Sequence, residues 1–349
     1  MAAPVGDPTT PDQVRLRRAC VINPEWLVTT PPTGYGAATR LAFAAARELG
    51  ALGISTHLYA PRIVDDPGAY PGISAVFERT PTVEELEDTD VVYLVDDRDA
   101  YRRCPLPSER WPRVLYFCED GGLSPQPPRG PNIVHVVFRG DRLPRFPPGR
   151  ARLGDHILMR DEIGPPQAPQ GYVAWIGRIC RDKGLDALVS FAEAVPEVRV
   201  RVAGPVLEQR RWPKNIELIG EVGGAEKRKF LTGADAFLYT VNSRFIGSGE
   251  ITLTEAASCG IPILAQSFSP GTPANRCVID GDSGFVHSDP RVLARLLPLA
   301  REMDRHAIHR RAFPRYAPSQ VAKRHAQWME AELGLLRSEA HRRFNGHRD

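Results

Sequence analysis

The chain of 349 residues has no apolar run approaching the ~20 residues a membrane-spanning helix needs. Its first fifteen residues, Met1 to Arg15, are polar and proline-bearing with no apolar core, which excludes a secretory signal and reads as a disordered tail. Six cysteines (Cys20, Cys104, Cys118, Cys180, Cys259 and Cys277) include no CxxC pair and no histidine at ligand spacing. That argues against a disulfide framework or a zinc site and for a reducing cytoplasm. A net charge of +3 is too small to argue for nucleic acid. The chain also lacks internal repeats, low-complexity blocks and any Ser/His/Asp or Cys/His arrangement for a side-chain nucleophile.

What is present is an alternation of strand-like and helical runs, the pattern of parallel sheets built from βαβ units. Arg18–Asn23, Ser55–Tyr59, Asp90–Val95, Arg113–Cys118 and Ile133–Phe138 read as strands. The stretch from Ala37 to Leu49 reads as a helix with Leu41, Ala44, Ala45 and Leu49 on one face. Between Asp161 and Gly171 three prolines interrupt a segment without periodicity, the signature of a linker. Strands then resume at Tyr172–Ile176, Val198–Ala203, Ile216–Ile219, Ala236–Tyr239 and Pro262–Ala265, separated by helices near 184–195, 225–233 and 250–258. The expected class is α/β: a tail over 1–15, a Rossmann-like domain over 16–165, a second Rossmann-like domain over 172–318, and a carboxyl-terminal helix over 319–349 that could pack back on the first domain. Two doubly wound halves of this kind face each other across a cleft, with ligands at the carboxyl ends of the strands.

Gly177-Arg178-Ile179-Cys180-Arg181-Asp182-Lys183-Gly184 follows one of these strands and precedes a helix. Arg178 and Lys183 thus sit on a loop facing a helix N-terminus, a suitable place for a pyrophosphate. Glu255, in Glu255-Ala256-Ala257-Ser258-Cys259-Gly260-Ile261-Pro262, places a carboxylate on a helix within reach of sugar hydroxyls. In Gly247-Ser248-Gly249-Glu250-Ile251-Thr252 the glycines precede a helix and leave backbone N–H groups free for phosphate oxygens, or form a plain helix-initiating turn. Together these elements suggest a protein that grips a nucleotide-diphosphate sugar. A nicotinamide dehydrogenase fits less well, because Gly34-Tyr35-Gly36 is followed by Ala37-Ala38-Thr39 and the second strand ends at Tyr59-Ala60 without an acidic residue.

In their order and spacing, Gly177-Arg178, Lys183-Gly184, Val202-Ala203-Gly204-Pro205, Leu218-Ile219-Gly220, Ala234-Asp235, Glu255-Ala256, Cys259-Gly260-Ile261-Pro262 and Gly281-Asp282-Ser283-Gly284-Phe285 resemble the nucleotide-sugar domain of retaining glycosyltransferases of family GT4, which have the GT-B fold. The first half is covered more loosely, by the Gly34-Tyr35-Gly36 loop. The resemblance implies that Arg178 and Lys183 neutralise the donor diphosphate and that Glu255 binds the ribose hydroxyls. Gly204, Gly249, Ile251 and Thr252 join the donor site, while Gly34 and Gly36 approach donor phosphate and acceptor.

Two departures affect the sugar. Relatives carry an earlier glutamate separated by seven residues from the position of Glu255; here Gly247 stands there. Either Glu250 substitutes for it, or the donor sugar is gripped differently, or activity is lost. Where relatives often place a histidine after the strand at 113–118, this chain has Glu119, which could orient a hydroxyl or a cationic acceptor, or be one of a pair of solvated acids.

Asp96-Asp97-Arg98-Asp99 reads as a solvated loop, so neither a metal nor a cofactor is expected; the donor is UDP- or GDP-linked. The expected partners are a small donor and a small soluble acceptor, with no nucleic acid, no membrane insertion and an open oligomeric state. The residue bias fits an actinobacterial enzyme of specialised metabolism, such as antibiotic biosynthesis. The rival reading is a non-catalytic nucleotide-sugar-binding protein of the same fold.

Overall fold

A computed structural model describes residues 15–23, 25, 28–34, 36–95, 113–117, 133–243 and 251–345. Two parallel sheets follow one another along the chain. The first holds β1 (Arg18–Ile22), β2 (Ser55–Tyr59), β3 (Ala75–Phe77), β4 (Val91–Val95), β5 (Arg113–Phe117), β6 (Ile133–Val137) and β7 (Ala151–Leu153), in the order β3-β2-β1-β4-β5-β6-β7. The second holds β8 (Tyr172–Ile176), β9 (Arg199–Ala203), β10 (Ile216–Gly220), β11 (Ala236–Tyr239), β12 (Ile263–Gln266) and β13 (Gly284–His287), in the order β10-β9-β8-β11-β12-β13. β4 and β8, Val-Val-Tyr-Leu-Val and Tyr-Val-Ala-Trp-Ile, are apolar without alternation and almost wholly buried. Strands covered on both faces require that composition. In each sheet the strand order reverses, between β1 and β4 and between β8 and β11, and such a reversal leaves a crevice at the carboxyl ends. The α/β class with two Rossmann-like halves, the GT-B arrangement expected from the sequence, is the one the chain adopts.

The helices are α1 (Ala37–Ala51), α2 (Val83–Glu87), α3 (Leu185–Ala194), α4 (Gly224–Thr232), α5 (Ile251–Ser258), α6 (Pro273–Cys277), α7 (Pro290–Arg301), α8 (Arg305–Tyr316) and α9 (Pro318–Asn345). The sequence led us to expect one buried stripe on α1. Instead the helix is buried almost all round, from Ala38 to Ala46 and again at Glu48 and Leu49. The reason is α9, whose Val321, Ala322, Ala326, Met329 and Leu333 join the first sheet's core from the far side of α1. An alanine-rich helix between a sheet and a second helix allows both to approach closely.

The proline-rich segment is also more firmly held than a free tether. Gln167 N–H donates to the Thr232 carbonyl, Gln170 N–H to the Gly233 carbonyl, and Gly171 N–H to Asp235. Just before it, Ile157 and Met159 enter the first core while Leu158 enters the second. An extended strip with period two thus serves both domains at once. The expected tail lies outside the described residues apart from Arg15, as do Cys104, Cys118, Trp26, Tyr35 and the acidic loop at 96–99.

Next to that strip the chain crosses between the domains. Arg276 of α6 donates to the carbonyls of Phe138 and Gly154 and to Asp155, which Arg315 and Arg324 approach at 3.5 Å. His156 stacks on Phe138 with ring centres 3.7 Å apart, and His325 stacks on Trp328. Burial, reinforced by Arg276 and His325, pushes the His156 imidazole down to about 3. Burial, with Arg324 adding to it, does the same to His325, also to about 3.

Both rings therefore stay neutral in the folded chain, whereas in the unfolded chain each takes up a proton near pH 6.5. Protons favour the unfolded state over that interval, so stability is fully present above about pH 6.5 and falls as pH drops towards 3. Between about pH 7.5 and about pH 5.5 the two rings should together remove roughly 2–3 kcal/mol, read from urea unfolding. A flat profile would show that the rings take up protons in the fold as readily as in the unfolded chain.

Candidate functional site

At the switch point of the second sheet, the loop after β8 is held by backbone contacts that only glycine permits. Gly177 N–H donates to the Ala203 carbonyl at 3.0 Å, and Gly204 N–H to the Gly220 carbonyl at 2.8 Å. Gly204 has φ +136°, and a Cβ there would run into the Gly177 carbonyl. Ile179 N–H then donates to the Pro205 carbonyl at 2.9 Å. Arg178, half-buried, lies inside this laced segment, and Lys183, also half-buried, closes a short 3-10 turn over Arg181–Lys183.

The turn is fastened to the carboxyl end of β11. Trp175 Nε1 donates to Thr240 Oγ1 at 2.9 Å, Thr240 Oγ1 donates to the Lys183 carbonyl at 2.8 Å, and Asn242 N–H donates to the Asp182 carbonyl at 3.1 Å. Gly184 (φ 70°, ψ 45°) opens α3, and a Cβ on it would meet the Val241 backbone nitrogen at 2.6 Å. The structure therefore brings Arg178, Lys183 and Gly204 together on one rigid carboxyl-edge surface at the N-terminus of α3, where backbone N–H groups and the helix dipole favour an anion.

Glu255, on α5, belongs to a buried ionic group that the sequence did not announce. Lys227 Nζ of α4 donates to Glu255 Oε1 at 2.7 Å and to Glu162 Oε2 at 3.0 Å. Glu162 Oε1 accepts from Gly224 N–H at 3.2 Å and pairs with Arg40 of α1, which also donates to the Gly34 carbonyl. The four residues are almost inaccessible, at 1% for Glu162 and Glu255, 4% for Lys227 and 7% for Arg40. Burial lowers the Lys227 ammonium from its ordinary value, with Glu255 opposing the shift and Arg40 adding to it. Burial likewise lowers Arg40, against the pull of Glu255, Asp161, Glu221 and Glu25.

One end of this group is left open. Among the described residues, Glu255 Oε2 and Thr252 Oγ1, three residues apart on α5 and hence on one face, are buried without a hydrogen-bond partner. Unsatisfied buried acceptors are costly and call for a partner that binds. The side chain of Ile251 packs against the cores of both domains, which leaves its backbone for any contact with phosphate. Glu250 and Gly249, like Glu119, lie outside the described residues.

From the other domain, the loop after β1 meets this surface. Gly36 (φ +139°) precedes α1, and a Cβ there would touch Val28 at 2.9 Å. A Cβ on Gly34 would run into the carboxylate of Glu221, and one on Gly223 into the Thr33 carbonyl. The glycine loop of the first domain and the loop after β10 are thus in backbone contact. Glu25 accepts from the Thr39 N–H at 3.0 Å and from its hydroxyl at 2.8 Å, bracing the start of α1.

Arg40, Glu162 and Lys227 escaped sequence reasoning for different reasons. Arg40 is the one charge in the first ten residues of α1, Ala37 to Ala46, a largely apolar stretch, which was a usable signal. Lys227 lies in Glu226-Lys227-Arg228-Lys229, where nothing distinguishes the buried cation. Glu162 sits in a segment whose prolines suggested solvent. His135, His156 and His287 pack against Phe146, stack on Phe138, and accept from Asp289 N–H, respectively.

Residues 170–297 match the family described as Glycosyl transferases group 1. A D-inositol 3-phosphate glycosyltransferase of Mycolicibacterium gilvum (strain PYR-GCK) is 32% identical over 173 residues, covering 45% of this chain and 36% of the relative. A protein of the same description from Mycobacterium sp. (strain KMS) is 32% identical over 168 residues, with the same 45% and 36% coverage. The match therefore spans little more than a third of the length of these relatives. Among solved structures, AviGT4, a glycosyltransferase involved in avilamycin A biosynthesis, superposes with TM-score 0.69 at 20% identity, over 91% of this chain and 98% of that one. Anabaena Alr3699/HepE, solved in complex with UDP-glucose, superposes with TM-score 0.65 at 12% identity, over 91% and 100%. Residues 170–297 thus resemble the Glycosyl transferases group 1 domain, and the chain as a whole shares the fold of these solved glycosyltransferases.

Gly184→Ala is expected to destabilise the protein by about 1–3 kcal/mol, because positive φ and a backbone wall act together. Gly220→Ala serves as the control, since φ is +78° there but nothing lies within 4 Å of a Cβ. Urea unfolding should show Gly184→Ala to be the more costly; equal costs would rule out the close approach to Val241.

Proposed function

We propose that the chain is a retaining glycosyltransferase that moves a sugar from a nucleotide-diphosphate donor to a small acceptor. The observation that carries this reading is the pair of unsatisfied buried oxygens on α5, Glu255 Oε2 and Thr252 Oγ1, on the helix that follows β11, the strand whose carboxyl end also holds the turn carrying Lys183. A carboxylate and a hydroxyl there suit the hydroxyls of a ribose, while two cations at a helix N-terminus suit a diphosphate.

The leaving nucleoside diphosphate gathers negative charge as the glycosidic bond breaks. Fixed cations and N–H dipoles stabilise that charge without reorganising, so neither a metal nor a side-chain nucleophile is required of the chain. Attack by the acceptor on the face the diphosphate leaves, with a phosphate oxygen taking the acceptor's proton, retains the anomeric configuration. The protein's share is alignment and charge. Relatives described as D-inositol 3-phosphate glycosyltransferases support a small hydroxylated acceptor. No helix among the described residues is long and apolar enough to cross a membrane, which is consistent with work in the cytoplasm.

A second reading, a donor-binding protein without turnover, is favoured by Gly247 standing where the resemblance expects a glutamate. Release of nucleoside diphosphate separates the two readings. On the first, the wild-type chain releases it and Arg178→Ala lowers turnover by at least ~100-fold, the scale of losing one preorganised charge contact. Near wild-type turnover in Arg178→Ala would remove that residue from the site. Binding of a diphosphate without release under any acceptor would establish the second reading.

A further inference from the structure

The Glu255 carboxylate has two oxygens in unlike settings. Oε1 is taken by the Lys227 ammonium at 2.7 Å, and Oε2 is buried with no partner among the described residues. The flanking residues on α5, Leu253, Thr254, Ala256 and Ala257, are buried and supply no charge to this carboxylate. Its terminal torsion is intrinsically broad, so the helix alone does not decide where Oε2 points. Lys227 is in turn held from outside its own helix: Glu162 Oε2 accepts from it at 3.0 Å, and Glu162 is fixed by Arg40 and by Gly224 N–H. Each contact is directional, and the series runs from the first domain through the crossover strip to a single open oxygen.

We propose that Lys227 is a positioning residue for the donor. It holds the Glu255 carboxylate by Oε1, so that Oε2 accepts a ribose hydroxyl, and Glu162 with Arg40 holds Lys227 in place. The inference rests on the donor reading given above. Without the ammonium, Glu255 would be an uncompensated charge in a buried setting, and it would rotate or bind a proton, losing its acceptor oxygen in either case. The arrangement predicts a loss confined to the ribose hydroxyls, not to the diphosphate.

The test is calorimetric binding of uridine and guanosine diphosphates beside their 2′,3′-dideoxy counterparts. The wild-type chain should prefer the ribose form of its diphosphate by about tenfold or more, the scale of a hydrogen bond to a charged group. Lys227→Met should erase that preference by weakening the ribose form, leaving the dideoxy affinity within about threefold of wild type. Lys227→Arg, which keeps a cation, should retain the preference. An undiminished preference in Lys227→Met, or an equal loss for both forms, overturns the inference. If Lys227→Met does not fold, Glu162→Gln takes its place; it touches no donor atom and should narrow the preference, and an unchanged preference overturns the inference. Failure of the donor reading is visible separately, in the wild-type chain: binding of neither diphosphate overturns that reading and the inference with it. Equal binding of ribose and dideoxy forms by wild type overturns only the role of Glu255 and Lys227.

Discussion

Two carboxylates and two cations can be buried together only if every charge faces an opposite one at hydrogen-bonding distance, and the set Arg40, Glu162, Lys227 and Glu255 meets that condition by drawing on three parts of the chain. Desolvation of such a group is unfavourable enough that a well-packed apolar replacement is often as stable or more so, while removal of one member alone costs about 3–5 kcal/mol. Stability is therefore a poor account of why the group is there. What it does supply is orientation: it couples α1, the crossover strip, α4 and α5 into one geometry. The half-buried loop carrying Arg178 and Lys183 is fixed independently, by the Gly177 contact to β9 and by Thr240 and Asn242 after β11.

The glycines divide accordingly. Gly204 and Gly184 are imposed by neighbouring backbone inside the second domain, whereas Gly223 is imposed by the Thr33 carbonyl of the opposite domain. A side chain at Gly223 would press on that carbonyl and hold the two loops apart. The arginine cluster on Asp155 fastens the crossing point itself. The two domains thus meet at the Asp155 cluster and, separately, at the Gly223–Thr33 backbone contact.

Most of the architecture was legible because buried parallel strands write themselves as unbroken apolar runs, and β4 and β8 did so. The short β3 was missed because three residues carry no period. Helix α2 was missed although Thr82 and Glu85 form a reciprocal capping box, a readable sign placed before only five residues of helix. At the site, Arg178, Lys183 and Gly204 were legible from glycine and charge at a strand end. Glu255 was placed as a carboxylate on a helix, but its partner Lys227 lies 28 positions away, and the second carboxylate on that cation, Glu162, 93 positions away, separations that no local pattern encodes. Arg40 was the exception, a charge out of place in a largely apolar stretch.

The carboxyl-terminal helix belongs by sequence to the second domain and by packing to the first, since Val321, Ala322 and Met329 lie in one cluster with Ala42, Ala45 and Leu49. Recombination between homologues must respect that. A hybrid made by one crossover in the linker would pair the first sheet of one parent with the covering helix of the other, and its alanine-lined seam would no longer match. A two-crossover exchange, replacing the second domain but returning to the original parent at α9, keeps the seam intact. It still has to carry Glu162 and Arg40 with the Lys227 they face, so the portable unit is defined by contacts, not by the proline-rich boundary that the sequence marks so plainly.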